Sequence, residues 1–277
     1  MNYRLEANRR TWDVNARVHV AGHSEYRIKR LKARRPPWSP ALPDDLGNVR
    51  GKSILHLQCH IGTDSLRWAW EGARVTGVDF SPRAIREARR LSRISRIPAR
   101  FVLANVYDAP RRLEGQFDIV MTYYGTICWL PDMARWAKVI AHFLKPGGYF
   151  YIADGHPMVA ALDWDRPGSE PRFANRYFPG RPERYVSTQG TYADPKARTG
   201  RRVSYEWHHD FAEITGALRG AGLAIEWIHE FPYMFYDMTF YTGKRLMRKD
   251  RRGFWHLKGE LAGRIPLMFS LKARRPV

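Results

Sequence analysis

The chain has 277 residues, 44% of them hydrophobic, and a formal net charge of +20. This length suits one large α/β domain with insertions. No apolar run reaches about 18 residues, and the N-terminal Met1–Glu6 segment lacks the apolar core of a signal peptide, so we expect neither a membrane span nor a secretory leader. Cys59 and Cys128 are the only cysteines. Two thiols without zinc-type spacing predict a reducing cytoplasmic environment, no disulfide and no metal site.

The first predicted elements form a strand–turn–helix–strand unit between Ser53 and Asp79. A short apolar strand runs into a tight turn closed by Gly62, a helix follows, and the second strand ends at Asp79. Gly62 would let the backbone approach a ligand closely, and Asp79 is placed to bind ribose hydroxyls. The unit predicts the nucleotide-binding half of a doubly wound α/β sheet. By itself it does not separate a dinucleotide from another adenosine cofactor.

The alternation of strands and helices continues along the chain. Ser81 and Pro82 begin a helix that extends to about Ser95, because proline suits a first helical turn. The segment from Lys145 to Gly148 ends the helix predicted at 132–144. The other predicted elements, in chain order, are a strand at 101–106, a strand at 117–123, a helix at 132–144, a strand at 149–153, a helix at 210–221, a strand at 223–229 and a last strand at 264–273.

The run from Leu46 to His156 resembles the class I S-adenosylmethionine-dependent methyltransferases. Five motifs in family order carry the resemblance: the first-strand loop at 56–62, VDFSP around Asp79, ANVYD around Asn105, FDIVMTYY around Asp118 and LKPGGYFY after Leu144. The resemblance implies a Rossmann-like, seven-stranded doubly wound sheet. It also implies that the last strand inserts antiparallel between the fifth and sixth strands, and that S-adenosyl-L-methionine is the cofactor.

The first motif departs from the usual family pattern. Its acidic position is His56, the first two glycine positions hold Gln58 and His60, and only Gly62 remains. In this respect the chain is similar to a bacterial subgroup that acts on small molecules and natural products. Gln58 and His60 can still offer polar atoms to a cofactor, but the shape of a loop with one glycine is an open question at this stage.

The resemblance also predicts the organisation of the chain. Residues 1–45 would form an N-terminal helical lid or extension, which could also exchange between subunits of a homo-oligomer. Residues 46–277 would form the methyltransferase domain. Within it, an aromatic-rich insertion at about 156–206 follows the fifth strand and would cap the substrate side, because ligands bind at the carboxyl ends of the strands. Residues 233–253 form a second aromatic and basic excursion.

The cofactor residues follow from these positions. Asp79 would bind the cofactor ribose, although it could simply cap the next helix. The resemblance implies that Asn105 reads the adenine edge and that Val106 packs on the ring, with an ordinary turn as the alternative. Tyr123 would face the sulfonium by cation–π attraction. The full set of expected cofactor contacts is Trp12, Gln58, His60, Gly62, Asp79, Phe80, Asn105, Val106 and Tyr123.

The acceptor residues are expected at the same edge of the sheet. His156 directly follows the fifth strand and would suit a general base, or it could only fix the turn with Pro157. The expected acceptor contacts are Tyr26, Tyr124, Trp129, Phe173, Tyr177, Tyr205 and His208. A base is needed only if the acceptor must lose a proton. Oxygen, nitrogen and carbon acceptors therefore all remain open.

The leading hypothesis is methyl transfer to a small molecule of secondary metabolism, apolar or aromatic and in one version anionic. One version is C-methylation of an isoprenoid diphosphate or a prenylated aromatic compound. The alternative is an RNA or DNA methyltransferase, which the basic clusters at 1–35, 83–96 and 244–252 favour if they are more than a solvated surface. A basic stripe leading into the cleft would support that alternative. A third hypothesis is a non-catalytic member of the fold.

Overall fold

A computed structural model describes residues 2–21, 28–33, 46–164, 171–239 and 246–277. Tyr26, one of the expected acceptor contacts, lies outside these ranges. The helices are α1 (Tyr3–His19), α2 (Ile28–Lys32), α3 (Thr63–Trp70), α4 (Pro82–Ser95), α5 (Met133–Phe143), α6 (Pro157–Ala160) and α7 (Phe211–Gly220).

The strands, in chain order, are β1 (Ser53–Leu57), β2 (Arg74–Asp79), β3 (Arg100–Leu103), β4 (Phe117–Tyr123), β5 (Leu144–Gly155), β6 (Leu162–Asp163), β7 (Arg172–Phe173), β8 (Glu183–Ser187), β9 (Arg202–Glu206), β10 (Ala224–Phe231), β11 (Tyr233–Met234), β12 (Met247–Lys249), β13 (Trp255–Leu257) and β14 (Met268–Arg274).

The central sheet has seven strands in the order β10-β14-β5-β4-β1-β2-β3. Strands β1 to β5 are parallel to one another, whereas β14 lies antiparallel between β5 and β10. The predicted fold class, including the inserted antiparallel last strand, is therefore confirmed. The strand order reverses beside β1, which is where ligands bind in doubly wound sheets.

Local sequence explains where the helices begin. The Ser81 hydroxyl accepts a hydrogen bond from the backbone N–H of Ala84, and Pro82 occupies the first turn of α4. Asp132 caps α5 and Asp210 caps α7 in the same way. Side chains that accept hydrogen bonds from free N–H groups stabilise a helix N-terminus. These caps place the helices within a residue of the predicted starts.

Two strands differ in length from the prediction. β3 ends at Leu103, because Asn105 turns the chain into the 3-10 helix Val106–Arg111 and accepts a hydrogen bond from the N–H of Tyr107. β5 begins at Leu144 instead of 149, because residues 147 and 148 still exchange backbone hydrogen bonds with Arg275. The Lys145–Gly148 turn therefore extends the sheet rather than only ending a helix.

The core lies on both faces of the sheet. On one face α5 and α7 pack against β4, β5 and β14 through Trp136, Phe143 and Ile214, which are fully buried. On the other side the buried side chains include Trp68 of α3 and Phe254. Burial of such large apolar side chains is the main favourable contribution to folding. It holds the carboxyl ends of the strands rigidly in place.

Helix α1 covers the carboxyl end of the sheet. The Asn8 side chain donates to the carbonyl of Tyr205 and accepts from its N–H, both at 2.7 Å, and so pairs with the edge of β9 as another strand would. Thr11 donates to the carbonyl of Val203. At the other side Asp13 accepts hydrogen bonds from Ser81 and Arg83 at the start of α4. Helix α1, the predicted lid, thus bonds to β9 and to the start of α4.

Two small sheets complete the cover. β8 and β9 form an antiparallel hairpin within the predicted insertion. β11, β13 and β12 form a three-stranded sheet from residues after β10. In the part of the chain that the structure describes, no helix is both long and apolar enough to cross a bilayer.

Candidate active site

A cavity of about 730 Å³ lies at the carboxyl ends of β1, β2 and β4. Helix α1 and the β8–β9 hairpin form its roof, and residues 235–237 with Trp255 form one wall. Small-molecule sites have volumes of about 300–1,000 Å³. The strands of the Rossmann-like sheet and the segments inserted into it therefore meet around one enclosed space of suitable size.

The loop after β1 has the positive φ angles typical of glycine at two positions that hold other residues. Gln58 and His60 have φ angles of 55° and 50°, in the left-handed region that side chains with a Cβ rarely adopt. Each such residue costs about 1–2 kcal/mol. The Gln58 amide donates to the carbonyl of Thr126 at 2.8 Å, which holds the loop against the turn after β4. The sequence alone left the conformation of this loop open. The structure shows that the loop adopts the backbone of a glycine-containing loop, with strain at Gln58 and His60.

Gly62 has a role different from the predicted one. It begins α3 with a φ of 77° and does not line the cavity. A Cβ at this position would lie 2.6 Å from the Phe101 ring and 3.0 Å from the Cβ of Ala88. The structure thus accounts for Gly62 by close packing of the first turn of α3 against β3 and α4. It offers no support for a direct approach to the cofactor.

Asp79 ends β2 inside the cavity and is only 7% exposed. One carboxylate oxygen accepts from the N–H of His60 at 2.9 Å, and the other accepts from the N–H of Ser81 at 2.8 Å. Burial raises the pKa of Asp79 to about 6, against the lowering effect of these N–H groups. Each oxygen keeps a lone pair, so the oriented carboxylate can accept two hydroxyl donors.

The residues after β2 and β3 lie beside Asp79 in the cavity. Phe80, Asn105 and Val106 all line it, as expected for groups that surround an adenine and its ribose. The Asn105 oxygen is engaged by the N–H of Tyr107, which fixes the side chain at the end of β3. The structure thus brings these predicted residues together with Asp79 in one cavity, and their contact with a cofactor stays a prediction.

Asp154 organises the turn after β4 and was not among the predicted site residues. Its buried carboxylate accepts hydrogen bonds from the backbone N–H groups of Gly125, Thr126 and Ile127, and from the Thr126 hydroxyl. The available signal was a carboxylate two residues before His156, near the end of β5. Asp154 fixes the loop to which Gln58 is bonded.

Aromatic rings continue the cavity beyond the end of β4. Tyr123 stacks on Tyr124 with ring centroids 5.3 Å apart, and Tyr124 lies 4.3 Å from Phe235. Tyr124 has a φ of 55°, a further left-handed residue at the cavity. Backbone strain concentrates at functional sites. Both tyrosines line the cavity, in the positions expected for contacts with the cofactor and the acceptor.

Trp12 connects the lid to the floor of the cavity. Its ring lies 5.2 Å from Trp129 and 5.0 Å from His60, in edge-to-face arrangements. His60 is also 2.8 Å from His19 of the lid through their ring nitrogens. Burial lowers the pKa of His60 to about 3 and that of His19 well below its usual value. The pair is therefore neutral, and the lid closes through uncharged rings.

The hairpin contributes one face of β9 to the roof. Arg202, Ser204 and Glu206 alternate along the strand and line the cavity, while Val203 does not line it and the Tyr205 ring packs on Tyr3 of α1. Side chains of a strand alternate between its two faces, so these two sets are expected to separate. Glu206 was not predicted as a site residue. Its place in the mostly aromatic insertion gave no signal beyond an isolated carboxylate.

Besides Gly62, five of the predicted residues that the structure describes do not line the cavity. His156 is 5% exposed, its Nδ1 accepts the N–H of Met158, and its Nε2 lies 2.7 Å from Glu230, so both nitrogens are engaged in fixing the turn. Burial lowers the pKa of His156, although Glu230 opposes the shift. The structure offers no support for a general base there. The others are Phe173, Tyr177, Tyr205 and His208. Phe173 is 68% exposed and Tyr177 is partly exposed, whereas Tyr205 packs on α1 and His208 bonds to a backbone carbonyl.

Other aromatic residues take their place. The unpredicted aromatic lining residues are Tyr107, Tyr185, Tyr192, Phe235, Tyr236 and Trp255. Tyr192 lies against both His19 and Tyr236, so it joins the insertion, the lid and the segment after β10. The aromatic composition of both excursions was visible in the sequence. Which rings turn inward depends on the hairpin register and could not be predicted.

The cavity suits a zwitterionic adenosine cofactor. Asp79 presents an oriented carboxylate at one end, and the Gln58 Oε1 atom is buried without a hydrogen-bond partner. A buried acceptor that lacks a donor is costly unless a ligand supplies one. An amino group beside Gln58 and ribose hydroxyls at Asp79 would satisfy these atoms. The residues present therefore fit S-adenosylmethionine.

Charge within the cavity is not basic. Arg202 is the one Lys or Arg among the described residues that line it, whereas Asp64, Asp79, Glu206 and Asp237 are acidic. Arg202 itself bonds to Asn15, Ser187 and Gly190. The large positive charge of the chain is therefore carried elsewhere, and this lining gives no basic path for a polyanion.

Comparisons with known proteins agree with this geometry. Residues 55–150 match the family described as "Methyltransferase domain". A ubiquinone biosynthesis O-methyltransferase from Bordetella pertussis is 28% identical over 129 residues, which cover 47% of this chain and 53% of the relative. The chain thus spans about half the length of the curated relatives it matches.

Solved structures share the fold. An S-adenosylmethionine-dependent methyltransferase from Mesorhizobium loti superposes with a TM-score of 0.54 and 22% identity over 89% of this chain and 96% of that one. Geranyl diphosphate C-methyltransferase from Streptomyces coelicolor gives a TM-score of 0.50 at 14% identity, over 84% of this chain and 75% of that one. At such identities the likeness shows the fold alone. The methyltransferase domain matched at residues 55–150, the sheet order and the cofactor-shaped cavity all support a class I S-adenosylmethionine-dependent methyltransferase.

Proposed function

We propose that this protein transfers the methyl group of S-adenosylmethionine to a small, uncharged, ring-bearing acceptor. The observation that carries the proposal is the continuity of one cavity from Asp79 and Asn105 to the rings of Tyr124, Tyr192 and Phe235. Its cofactor end is polar, its far end is aromatic, and α1 encloses both. A donor and an acceptor held in one enclosed space can reach the alignment that methyl transfer requires.

At the cofactor end each residue has a proposed contact. Asp79 binds the ribose hydroxyls, Asn105 and Val106 hold the adenine, and Phe80 packs beside it. Gln58 accepts from the amino group, and Trp12 closes over the methionine end from the lid. His60 contributes a neutral ring that excludes water. The bound cofactor supplies an activated methyl group on a sulfonium.

The chain's own work at the reacting end is alignment. Tyr123 and Tyr124 present aromatic faces at the end of β4, where a positively charged sulfur is favoured by cation–π attraction. Asp154 keeps the turn at 125–127 fixed, so that the strained Tyr124 holds its place. Trp129 lies under the lid beside Trp12. Together these groups would exclude water and limit the acceptor to a planar shape.

The acid-rich lining favours one version of the acceptor. An isoprenoid diphosphate would bring several negative charges next to Asp79, Glu206 and Asp237, with Arg202 already bonded to neutral groups. Like charges in an enclosed site repel strongly. A prenylated or simple aromatic ring fits the same lining without this penalty. We therefore propose an aromatic metabolite, as in secondary metabolism, over a diphosphate or a nucleic acid.

The two free thiols, Cys59 and Cys128, both line the cavity and suit a reducing cytoplasm. Burial raises the pKa of each thiol well above its usual value, so both are neutral.

The proposal is tested by measuring S-adenosylhomocysteine formation from S-adenosylmethionine with two sets of acceptors. One set contains neutral phenols, naphthols and prenylated aromatic compounds, and the other contains geranyl diphosphate, RNA and DNA oligonucleotides. We expect turnover only in the first set and loss of turnover in Tyr124→Ala. Turnover of a diphosphate or a nucleic acid, with none of the aromatic compounds, would contradict the proposed acceptor class.

A further inference from the structure

One carboxylate lines the cavity without a bonding partner in the described part of the chain. Among the described residues the side chain of Glu206 forms no hydrogen bond or ion pair, although it lines the cavity. Most charged groups so placed are paired, because an isolated charge in a protein interior is unfavourable. Its environment therefore has room for one interaction that the chain itself does not supply.

The position of Glu206 is fixed relative to the end of β4. The N–H of Trp207, the next residue, donates to the carbonyl of Cys128 at 2.8 Å. Cys128 belongs to the 3-10 turn Ile127–Trp129, whose preceding residues are held by Asp154. The carboxylate of Glu206 also contributes to the raised pKa of the Cys128 thiol, after the larger effect of burial. Glu206 is thus attached to the loop beside Tyr123 and Tyr124.

The groups around Glu206 do not neutralise it. Glu183 lies directly opposite in the β8–β9 register and is itself acidic. Arg202 lies two positions along the same face of β9 and is bonded to Asn15, Ser187 and Gly190. The lid residues that line the cavity are Leu5, Thr11, Trp12 and Asn15, all uncharged. Arg176 lies 3.9 Å from Glu183 and pairs with that carboxylate, so among the described residues no cation bonds to the side chain of Glu206.

From this geometry we propose that Glu206 is the base that binds and deprotonates a hydroxyl acceptor, which makes the enzyme an O-methyltransferase of phenol-type substrates. The proposal rests on the proposed function and adds the acceptor atom to it. A hydroxyl fits better than an ammonium, because the sulfonium already places one positive charge in the same cavity. Burial raises the pKa of Glu206 to about 7, near the value at which a general base is most effective.

The step balances without another reactant. The acceptor O–H bond breaks and its proton moves to a carboxylate oxygen of Glu206. The acceptor oxygen forms a bond to the methyl carbon, while the carbon–sulfur bond breaks and its electron pair stays on sulfur. One positive and one negative charge disappear together, so the low-polarity cavity favours the products. The proton then leaves Glu206 to solvent as the lid opens.

The first test is binding, which does not require turnover. Protein saturated with S-adenosylhomocysteine is titrated with 2-naphthol and with its methyl ether, 2-methoxynaphthalene, which lacks the proton. We expect wild type to prefer the naphthol by at least about tenfold. Glu206→Gln should abolish the preference, and Glu114→Gln, an exposed control away from the cavity, should keep it. Equal binding of both probes by wild type, or no binding of either, would overturn the proposal.

The second test is the pH profile of methyl transfer to 2-naphthol. The wild-type rate should rise with pH to a plateau above about 7, and Glu206→Gln should lower kcat by roughly 100-fold or more and remove this rise. S-adenosylhomocysteine affinity separates the two proposals. If Glu206→Gln binds it normally yet retains full kcat, the base assignment fails while the methyltransferase function stands. If wild type does not bind it, the proposed function itself fails.

Discussion

Replacing Glu206 with glutamine should stabilise the protein at and above neutral pH. Burial raises the pKa of Glu206 from its ordinary value of 4.5 to about 7. Below pH 4.5 the group is protonated in both folded and unfolded chains. As pH rises toward 7, the unfolded chain releases its proton first, so the folded state loses stability. At about 1.4 kcal/mol per pH unit, the full loss is about 3 kcal/mol, an upper limit because cavity water screens the charge.

Glutamine has the same shape and no charge at any pH, so the variant avoids this loss. The assay is urea or thermal unfolding of wild type and Glu206→Gln at about pH 5 and about pH 8.5. The stability difference should grow with pH in favour of the variant, by up to about 3 kcal/mol. For a chain of this size that corresponds to a Tm increase of roughly 5–10 °C.

The matched control is Glu114→Gln, an exposed glutamate that does not line the cavity. Its stability difference from wild type should change little between the two pH values. A difference for Glu206→Gln that stays constant with pH, or that favours wild type at high pH, would refute the reasoning. It would mean that Glu206 is solvated or paired in the folded protein.

Three further variants test the site's architecture. Asp154→Ala removes the acceptor of several hydrogen bonds in the turn after β4. It should destabilise the fold by about 2–4 kcal/mol in urea unfolding and weaken S-adenosylhomocysteine binding in calorimetry. Unchanged stability would mean that the turn keeps its conformation without these hydrogen bonds. Gly62→Ala should destabilise the fold by more than about 2 kcal/mol, because the added Cβ would clash with Phe101. The control Gly115→Ala also has a positive φ but open space around it, so it should cost only about 1–2 kcal/mol. Equal effects of the two variants in unfolding experiments would rule out the packing argument. His156→Asn should lower stability by about 1–2 kcal/mol and leave kcat within about twofold, since both ring nitrogens are engaged in the fold; a kcat loss of roughly 100-fold would restore the catalytic role.

The elements of the sheet could be predicted because their signals are local. Ser81 with Pro82, Asp132 and Asp210 are helix-capping residues, and each marks a helix start within one residue. The position of β14 between β5 and β10 followed only from the resemblance, since antiparallel insertion depends on contacts far apart in the chain.

The cofactor end was predictable for the same reason, because Asp79 and Asn105 stand at strand ends. The loop after β1 was not, since its shape depends on Gln58 reaching Thr126, a residue 68 positions away. Gly62 was interpreted as a ligand contact because the sequence cannot show that Phe101 lies behind it.

The acceptor end could be predicted only in composition. A strand turns alternate residues to opposite faces, so the register of β8 and β9 decides that Tyr185 and Glu206 line the cavity while Tyr205 packs on the lid. The residues of the two strands, taken alone, do not show which register they adopt. The same uncertainty affects the prediction of His156 as a general base. His156 directly follows β5, but its side chain pairs with Glu230 instead of lining the cavity.

The central claim is that this cavity holds S-adenosylmethionine through Asp79, and the most direct test is calorimetric titration with S-adenosylhomocysteine. Wild type should bind with micromolar affinity, and Asp79→Ala should weaken binding at least tenfold, about 1.4 kcal/mol. Asp108→Ala, an exposed aspartate beyond the cavity, should bind as wild type does. No binding by folded wild type, or equal affinity in Asp79→Ala, would contradict the account.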